Sequence, residues 1–303
     1  GKYKINSENA FKISVKSREL YFEIAENENI DFDLTRKGAM QIYDNAIDFE
    51  RAKLKKHWIE NVGCEWTELS KDEVFEIEPA LNKEKKVAGG IYTESDASGD
   101  IHKYCVDLSR VLSSKYGVKF RFNEKVKDIN GTSFPIISTD KEDIPFDKVV
   151  ICAGVKTQEF RNKFRDNFRI YPVKGYSITI DLDDEISKSA APHVSIKDDH
   201  NKIVSSRLGN RLRVAGTAEL AGENKEVREE RITPLIEWVN NCFPEVNTEN
   251  IITWAGLRPM TSDMVPIMRE SKRKNVFYNS GHGHLGWTMG AFAGKFISDL
   301  IED

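Results

Sequence analysis

The sequence predicts a mixed α/β fold of two interleaved domains, and three observations carry that prediction. Lys148 to Gly154 reads Lys-Val-Val-Ile-Cys-Ala-Gly, a near-continuous apolar run ending in glycine. A strand buried on both faces has this pattern, which implies a parallel sheet. Tyr171 to Gly216 instead holds short alternating segments separated by polar turns, the pattern of an antiparallel meander. Strand and helix patterns then return, with Ile251–Leu257 and Val276–Tyr278 as strands and Leu285–Ile301 as a closing helix.

The other elements follow in order. Residues 7–29 are charged and free of Gly and Pro, which predicts a helix. Two short strands, Phe32–Leu34 and Ala39–Tyr43, flank a Lys37-Gly38 turn. Asp48–Asn61 reads as a helix stopped by Gly63. Ser70 and Glu73 form a capping box that starts a short helix before Pro79. Val87–Thr93 is a strand, and His102–Tyr116 a helix closed by Gly117. Val118–Phe122, Val126–Ile129, Phe134–Ser138 and Lys148–Cys152 are strands, followed by a helix over Thr157–Phe164. The antiparallel set comprises Tyr171–Asp181, Val194–Ile196, Lys202–Ser206 and Arg211–Gly216. Thr233-Pro234 supplies an N-cap and first residue for a helix to Cys242.

Composition limits the function classes. The 303 residues amount to about two domains at ~150 each. Basic and acidic residues, 45 and 49, nearly cancel; a nucleic-acid reader has a basic excess. No apolar run is long enough to span a bilayer. Cys64, Cys105, Cys152 and Cys242 include no C-x-x-C pair, which argues against zinc and disulfides. Each is expected to be a small buried apolar residue in a reducing compartment. The histidines show no metal-ligand spacing. Neither a G-x-S-x-G elbow nor a Walker lysine is present.

The strongest local signal is Gly281-His-Gly-His-Leu-Gly-Trp-Thr288, running into a helix. Five of the 19 glycines fall between 281 and 294. A Gly-rich loop opening a helix presents unpaired N–H groups at the positive end of a dipole, which favours an anion or an electron-rich cofactor edge. Gly286, Gly290 and Gly294 also lie four apart, where a packed strand could press close. Trp254-Ala-Gly-Leu-Arg-Pro259 sets Arg258 at a strand end before a proline. It could grip a carboxylate bidentately, or pair with a structural Asp such as Asp263. Tyr176 could offer a hydroxyl to a ligand or be a half-buried sheet aromatic.

Five segments in order then make the pattern specific. They are Gly117-Val-Lys-Phe-Arg-Phe-Asn123, Tyr171-Pro-Val-Lys-Gly-Tyr-Ser177, Arg213-Val-Ala-Gly-Thr-Ala-Glu219, Trp254-Ala-Gly-Leu-Arg-Pro-Met-Thr261 and Gly281-His-Gly-His-Leu-Gly-Trp-Thr-Met289. From about residue 10 to the C-terminus the chain resembles the bacterial D-amino acid dehydrogenase small-subunit family, within the D-amino acid oxidase superfamily of FAD-dependent oxidoreductases. The resemblance implies an FAD-binding three-layer domain over residues 86–168 and 250–303. It implies an antiparallel-sheet substrate domain over 1–85 and 169–249. FAD contacts would fall at Val126, Ala153, Gly154 and the loop His282, Gly283, His284, Leu285, Gly286, Trp287 and Thr288. Arg258 would hold the substrate carboxylate, with Tyr176 and His284 at the substrate face.

The implied reaction is oxidative deamination of a D-amino acid to a 2-oxo acid and ammonia, by hydride transfer from Cα to flavin N5. No side-chain acid or base is assigned to it. A quinone or other electron acceptor would reoxidise the flavin. The implied location is cytoplasmic, with peripheral contact at the inner face of the plasma membrane. A glycine- or sarcosine-type oxidase is the alternative enzyme, and a non-catalytic fragment lacking the flavin pyrophosphate site the alternative of another class. Three departures stand out. The family opens with a strand and a G-x-G-x-x-G turn that cradles the pyrophosphate. This sequence is read as lacking that turn, so a βαβ unit of ~30 residues or more is expected upstream of Gly1, and this chain alone is expected to hold FAD weakly or not at all. Met264 stands where the family usually has Gly, and His284 where small or other polar residues are common.

Overall fold

The computed structural model describes residues 2–61 and 63–302. Helix α1 (Lys2–Glu28) ends at Asn29, whose φ of 53° is a left-handed helix stop. The Gly38 turn, at φ +73°, leads into β1 (Ala39–Tyr43), and the Tyr92 ring fills the space a Cβ would need there. Phe32–Leu34 forms no strand: Asp33 holds φ 55°, and only an isolated bridge joins Thr35 to Ser98. The helix expected over Asp48–Asn61 is two pieces, α2 (Ala46–Lys53) and α3 (Lys56–Glu60). Phe49 and Ala52 are the buried face of α2, Leu54 beyond them is exposed, and Ile59 is buried again in α3.

After β2 (Thr67–Leu69), α4 (Lys71–Ile77) opens with the expected capping box. Ser70 Oγ accepts the Glu73 N–H, and the Glu73 carboxylate accepts the Ser70 N–H at 2.7 Å. Next come β3 (Gly89–Thr93) and α5 (Ile101–Tyr116), closed by Gly117 at φ +69°. Val118–Phe122 is not a strand. Its alternating Val118, Phe120 and Phe122 are exposed, and the two Phe rings stack at 5.6 Å. Alternation specifies a strand only where a neighbour takes up the backbone hydrogen bonds.

The chain continues through β4 (Val126–Asn130), β5 (Ile136–Thr139), β6 (Asp143–Pro145), β7 (Val149–Ile151), a 3-10 turn at Gly154–Lys156 and α6 (Thr157–Phe164). It then forms β8 (Ile170–Asp181), α7 (Glu185–Ala190), β9 (Ser195–Asp198), β10 (Ile203–Leu208) and β11 (Arg211–Glu219). The last elements are α8 (Glu229–Cys242), β12 (Ile251–Thr261), β13 (Ile267–Glu270), β14 (Val276–Ser280) and α9 (Gly286–Glu302).

Prolines mislead twice. Helix α8 starts at Glu229, before the expected N-cap Thr233, and carries Pro234 inside it. Glu229 and Glu230 suit the positive first turn, and Ile232 extends the buried stripe of Leu235, Trp238, Val239 and Cys242 ahead of the proline. Strand β12 runs through Pro259 to Thr261 because it is an edge strand, where a missing N–H breaks no ladder bond.

Two compact units divide the chain. One comprises residues 1–30, 105–173 and 257–303, and the other 31–104 and 174–256. These limits differ from the ranges expected from sequence: α1 groups with the segments that carry β7, β14 and α9, and residues 86–104 group with the large sheet.

The second unit holds most of an eight-stranded sheet in the order β12-β8-β11-β10-β9-β1-β3-β2. The meander is antiparallel, as expected, while β1 joins β9 in parallel. Ile178, Ile180, Leu212 and Val214 are fully buried in one core with Leu235 and Val239 of α8. The first unit holds the sheet β13-β14-β7, with β14 and β7 parallel, and the small sheet β4-β5-β6. Ile129 of β4 shares a core with Val149, Ile151, Val276 and Tyr278. Of the four cysteines only Cys242 is buried; Cys64 is half-buried, and Cys105 and Cys152 are exposed, against expectation.

Leu235→Ala should lower unfolding free energy in a urea titration by about 2–5 kcal/mol, the cost of a cavity at a fully enclosed leucine. Phe122→Ser, at an exposed ring, should change it by no more than about 0.5 kcal/mol.

Candidate functional site

Parallel pairing of β7 with β14 sets Val149 opposite Val276 and Ile151 opposite Tyr278. The carboxyl ends of both strands therefore leave the sheet side by side. Each runs into a glycine turn, Gly154 at φ +55° and Gly281 at φ +78°. Open α/β sheets bind ligands in the crevice outside such ends. A Cβ at Gly154 would meet nothing within 4 Å, so the space over that turn is open. A Cβ at Gly281 would lie 2.9 Å from Thr261 Cγ2, so glycine is required there on both steric and conformational grounds.

The loop after Gly281 becomes a 3-10 turn, Gly283–Leu285, and then α9. No side chain caps this start at His282. Gly286 and Thr288 are exposed. The first N–H groups of the 17-residue helix that follows lie at the positive end of its dipole. Helix α1 fixes its position. The Tyr21 and Trp287 ring centroids are 4.3 Å apart, and Ser17 Oγ accepts the Phe292 N–H at 3.3 Å. Tyr21 Oη lies 2.5 Å from where a Gly290 Cβ would be. The close neighbour of the glycine face is therefore a helix, not the expected strand, and Gly294 faces open space.

Gly281, Gly283 and Gly286 themselves have G-x-G-x-x-G spacing, between β14 and α9. This run follows β14 late in the chain and is not the turn of an opening βαβ unit, which is the turn the sequence is read as lacking.

Strand β12, which carries Arg258, meets this loop. Met260 and His282 form an isolated antiparallel bridge, and Met260 Sδ lies 2.6 Å from where a Gly283 Cβ would be. Side chains two apart on a strand share a face, so Arg258 is on the Met260 face of β12. It is half-buried, and burial pushes its pKa below the usual guanidinium value. A guanidinium keeps its charge under such a shift. The rival partner Asp263 is exposed, and its Oδ1 accepts the Val265 N–H at 3.2 Å. Met264 beside it holds φ 61°, so the position that departs from the family's glycine keeps a left-handed conformation with a side chain that strains it.

His282 is half-buried, and burial lowers its pKa, so its imidazole is neutral near pH 7. Its Nε2 is buried without a hydrogen-bond partner among the described residues, and so is Asn279 Oδ1. Buried polar atoms without partners are uncommon and costly, and two of them flank Ser280-Gly281.

The other expected positions divide. Ala153 is exposed beside Gly154, and His284 is exposed beside Gly283. Val126 is exposed at the start of β4. Tyr176 lies in the second unit and is 1% exposed. Its hydroxyl donates to Glu219, which also holds the buried Lys174 at 3.1 Å. Two cavities, of about 420 and 470 Å³, are lined by neither Arg258 nor the 282–288 loop; the first borders Arg211 and Asp100, and the second Thr261 and Asp263.

Residues 2–300 match the DAO family, described as FAD dependent oxidoreductase. The chain belongs to this family. It is 42% identical over 305 residues to D-amino acid dehydrogenase 3 of Mesorhizobium japonicum, covering 99% of this chain and 73% of that protein. It is 34% identical to the D-amino acid dehydrogenase of Neisseria gonorrhoeae, covering 99% and 72%. In fold it is similar to the glycine oxidase of Geobacillus kaustophilus, with a TM-score of 0.86 over 96% of this chain and 78% of that one at 22% identity. The Bacillus cereus glycine oxidase gives 0.83 over 96% and 80% at 24% identity.

FAD, the family's cofactor, fits what the first unit offers. The first turn of α9 offers N–H groups and a positive dipole end to an electron-rich ring edge. The open Gly154 turn admits a flat group close to the backbone, and the lone Nε2 and Oδ1 atoms await polar partners. Sequence reasoning missed Asn279, Ser280, Met260, Thr157 and Tyr21. Ser280 precedes the glycine loop directly, but nothing in sequence links it to Thr157, 123 residues away.

Gly281→Ala should cost about 1–2 kcal/mol in stability from the left-handed backbone alone. His282 offers a pH test. Its folded pKa lies below the usual 6.5, so the stability its neutral form contributes is complete above that value and is lost as pH falls through the lower folded one. Urea titrations at about pH 7.5 and 5.5 should show a larger loss for wild type than for His282→Gln.

Proposed function

We propose that this chain performs FAD-dependent oxidative deamination of D-amino acids, with Arg258 as the carboxylate anchor and the 282–288 loop with Ala153, Gly154 and Val126 as flavin contacts. The observation that supports this most directly is the Met260–His282 bridge, which joins the strand of the half-buried guanidinium to the glycine loop at the head of α9. The names of the relatives, at 42% and 34% identity, support the substrate class.

FAD, when bound, supplies the two-electron acceptor that takes the hydride from the substrate Cα. The substrate nitrogen becomes an imine, which water converts to the 2-oxo acid and ammonia. Arg258 grips the carboxylate with two parallel N–H···O bonds, which fixes the amino acid in angle as well as position. The first turn of α9 offers N–H groups and the positive end of its dipole to negative charge that grows on the acceptor. The neutral His282 adds a polar atom without adding a second charge next to the guanidinium. In this reading His284, exposed beside Gly283, meets the substrate side chain. Tyr176, already committed to Glu219, has a scaffold role in this reading.

Electrons leave for a quinone or another acceptor, and contact with the inner face of the membrane belongs to the same proposal. No described helix is long and apolar enough to cross a membrane.

The test is anaerobic dye reduction by the purified holoenzyme with D-alanine, L-alanine and glycine. D-alanine should be turned over fastest; faster glycine turnover, with peroxide formed in air, would overturn the reading. Arg258→Leu should lower kcat/KM for D-alanine by about 10- to 100-fold, chiefly through KM, as one charge-assisted pair contributes about 1.5–3 kcal/mol.

A further inference from the structure

We infer that Ser280 and Thr157 are positioning residues for the flavin, because their two buried hydroxyls lock the Gly154 turn to the Gly281 loop. The inference rests on the function proposed above, since it assigns the turns to FAD. Ser280 is the last residue of β14 and 3% exposed; Thr157 is the first residue of α6 and fully buried. Thr157 Oγ1 lies 3.0 Å from Ser280 Oγ, and Ser280 Oγ lies 3.1 Å from the Gly154 carbonyl oxygen.

The direction of this chain is fixed by chemistry. A carbonyl oxygen can only accept, so Ser280 spends its one proton on Gly154 and must accept from Thr157. Both glycines hold positive φ and have no side chain with which to anchor themselves. The β7–β14 ladder stops at Ile151–Tyr278, short of both turns. Beyond that point the hydroxyl chain ties them together by hydrogen bonds. It sets how far the Gly154 backbone stands from the start of the helical loop, a distance that a flat cofactor touching both would read directly.

A control residue is built into the same sheet. Ser271, also buried, donates to Asp166 and pairs its backbone with Val276, the opposite end of β14. Its loss would weaken the sheet without touching the turns. The experiment compares Ser280→Ala, Ser280→Thr, Thr157→Val and Ser271→Ala in the holoenzyme. The readouts are the FAD dissociation constant by flavin fluorescence, the visible flavin spectrum and the melting temperature. Ser280→Ala strands both a donor and an acceptor and should weaken FAD binding about tenfold or more, with a changed flavin spectrum. Thr157→Val keeps the Ser280–Gly154 bond and should weaken binding less. Ser280→Thr should restore it. Ser271→Ala should lower the melting temperature while leaving FAD affinity within about twofold.

The inference is overturned if Ser280→Ala keeps wild-type FAD affinity and spectrum, or if Ser271→Ala loses as much affinity. A wild-type protein that, produced as the full natural chain, takes up no FAD would instead bring down the proposed function itself, and this inference with it.

Discussion

Three residue pairs hold the candidate site together: Val149 with Val276, Val150 with Phe277, and Ile151 with Tyr278. The register brings two distant parts of the chain to one crevice, because side-by-side strand ends release their turns side by side. Burial fixes that register. Val276 and Tyr278 are fully enclosed and Phe277 is buried on the other face, so a one-residue slip would exchange the side chains that the two packed faces must accommodate. Asp166 adds a polar lock at the other end. It accepts from Ser271 Oγ at 2.6 Å, Lys272 N–H at 2.9 Å and Tyr278 Oη at 2.9 Å. A buried carboxylate with three donors is demanding of geometry, since a shift in any one leaves a desolvated atom unpaired.

The same logic recurs in the second unit. Lys174, Tyr176 and Glu219 form a buried polar group where β11 bulges between Gly216 and Glu219, with Thr217 at φ 60°. The bulge turns Glu219 toward β8, so that one carboxylate serves a lysine and a tyrosine together, with Arg228 at 3.0 Å. Asp198 does the equivalent for α8 and β9, accepting from Trp238 Nε1 at 2.9 Å and pairing with Lys85 at 3.1 Å. Apolar burial drives each unit together without direction; these groups narrow the outcomes by penalising every arrangement that leaves them unpaired.

The sequence is legible where local physics decides. The Ser70–Glu73 capping box, the Gly117 stop after α5 and the boundaries of α6 follow from side chains acting within a few residues. The Lys148–Gly154 run identifies a buried parallel strand for the same reason. Legibility fails where a partner decides. Val118–Phe122 has strand alternation without a strand, and Pro259 reads as a stop because nothing local says that β12 is an edge. Pro234 reads as a helix start because the stripe reaching back to Ile232 is defined by the core beneath it. At the site, the glycine spacing and Arg258 are visible in one dimension. The Thr157–Ser280 link, the Tyr21 contact at Gly290 and the lone Asn279 oxygen exist only once the sheet has formed.

The charge pattern around the loop has its own logic. Arg258 carries a fixed positive charge, and the start of α9 adds a partial one. His282 stands in a poorly solvated place, so burial favours the neutral ring over a further positive group. Neutrality also keeps the ring versatile. With Nε2 unpaired, it can donate or accept according to its tautomer, whereas an imidazolium can only donate. An electron acceptor whose reduction adds negative charge needs positive potential that does not vary with pH near neutrality. A guanidinium and a helix dipole supply that, and a histidine titrating beside them would not.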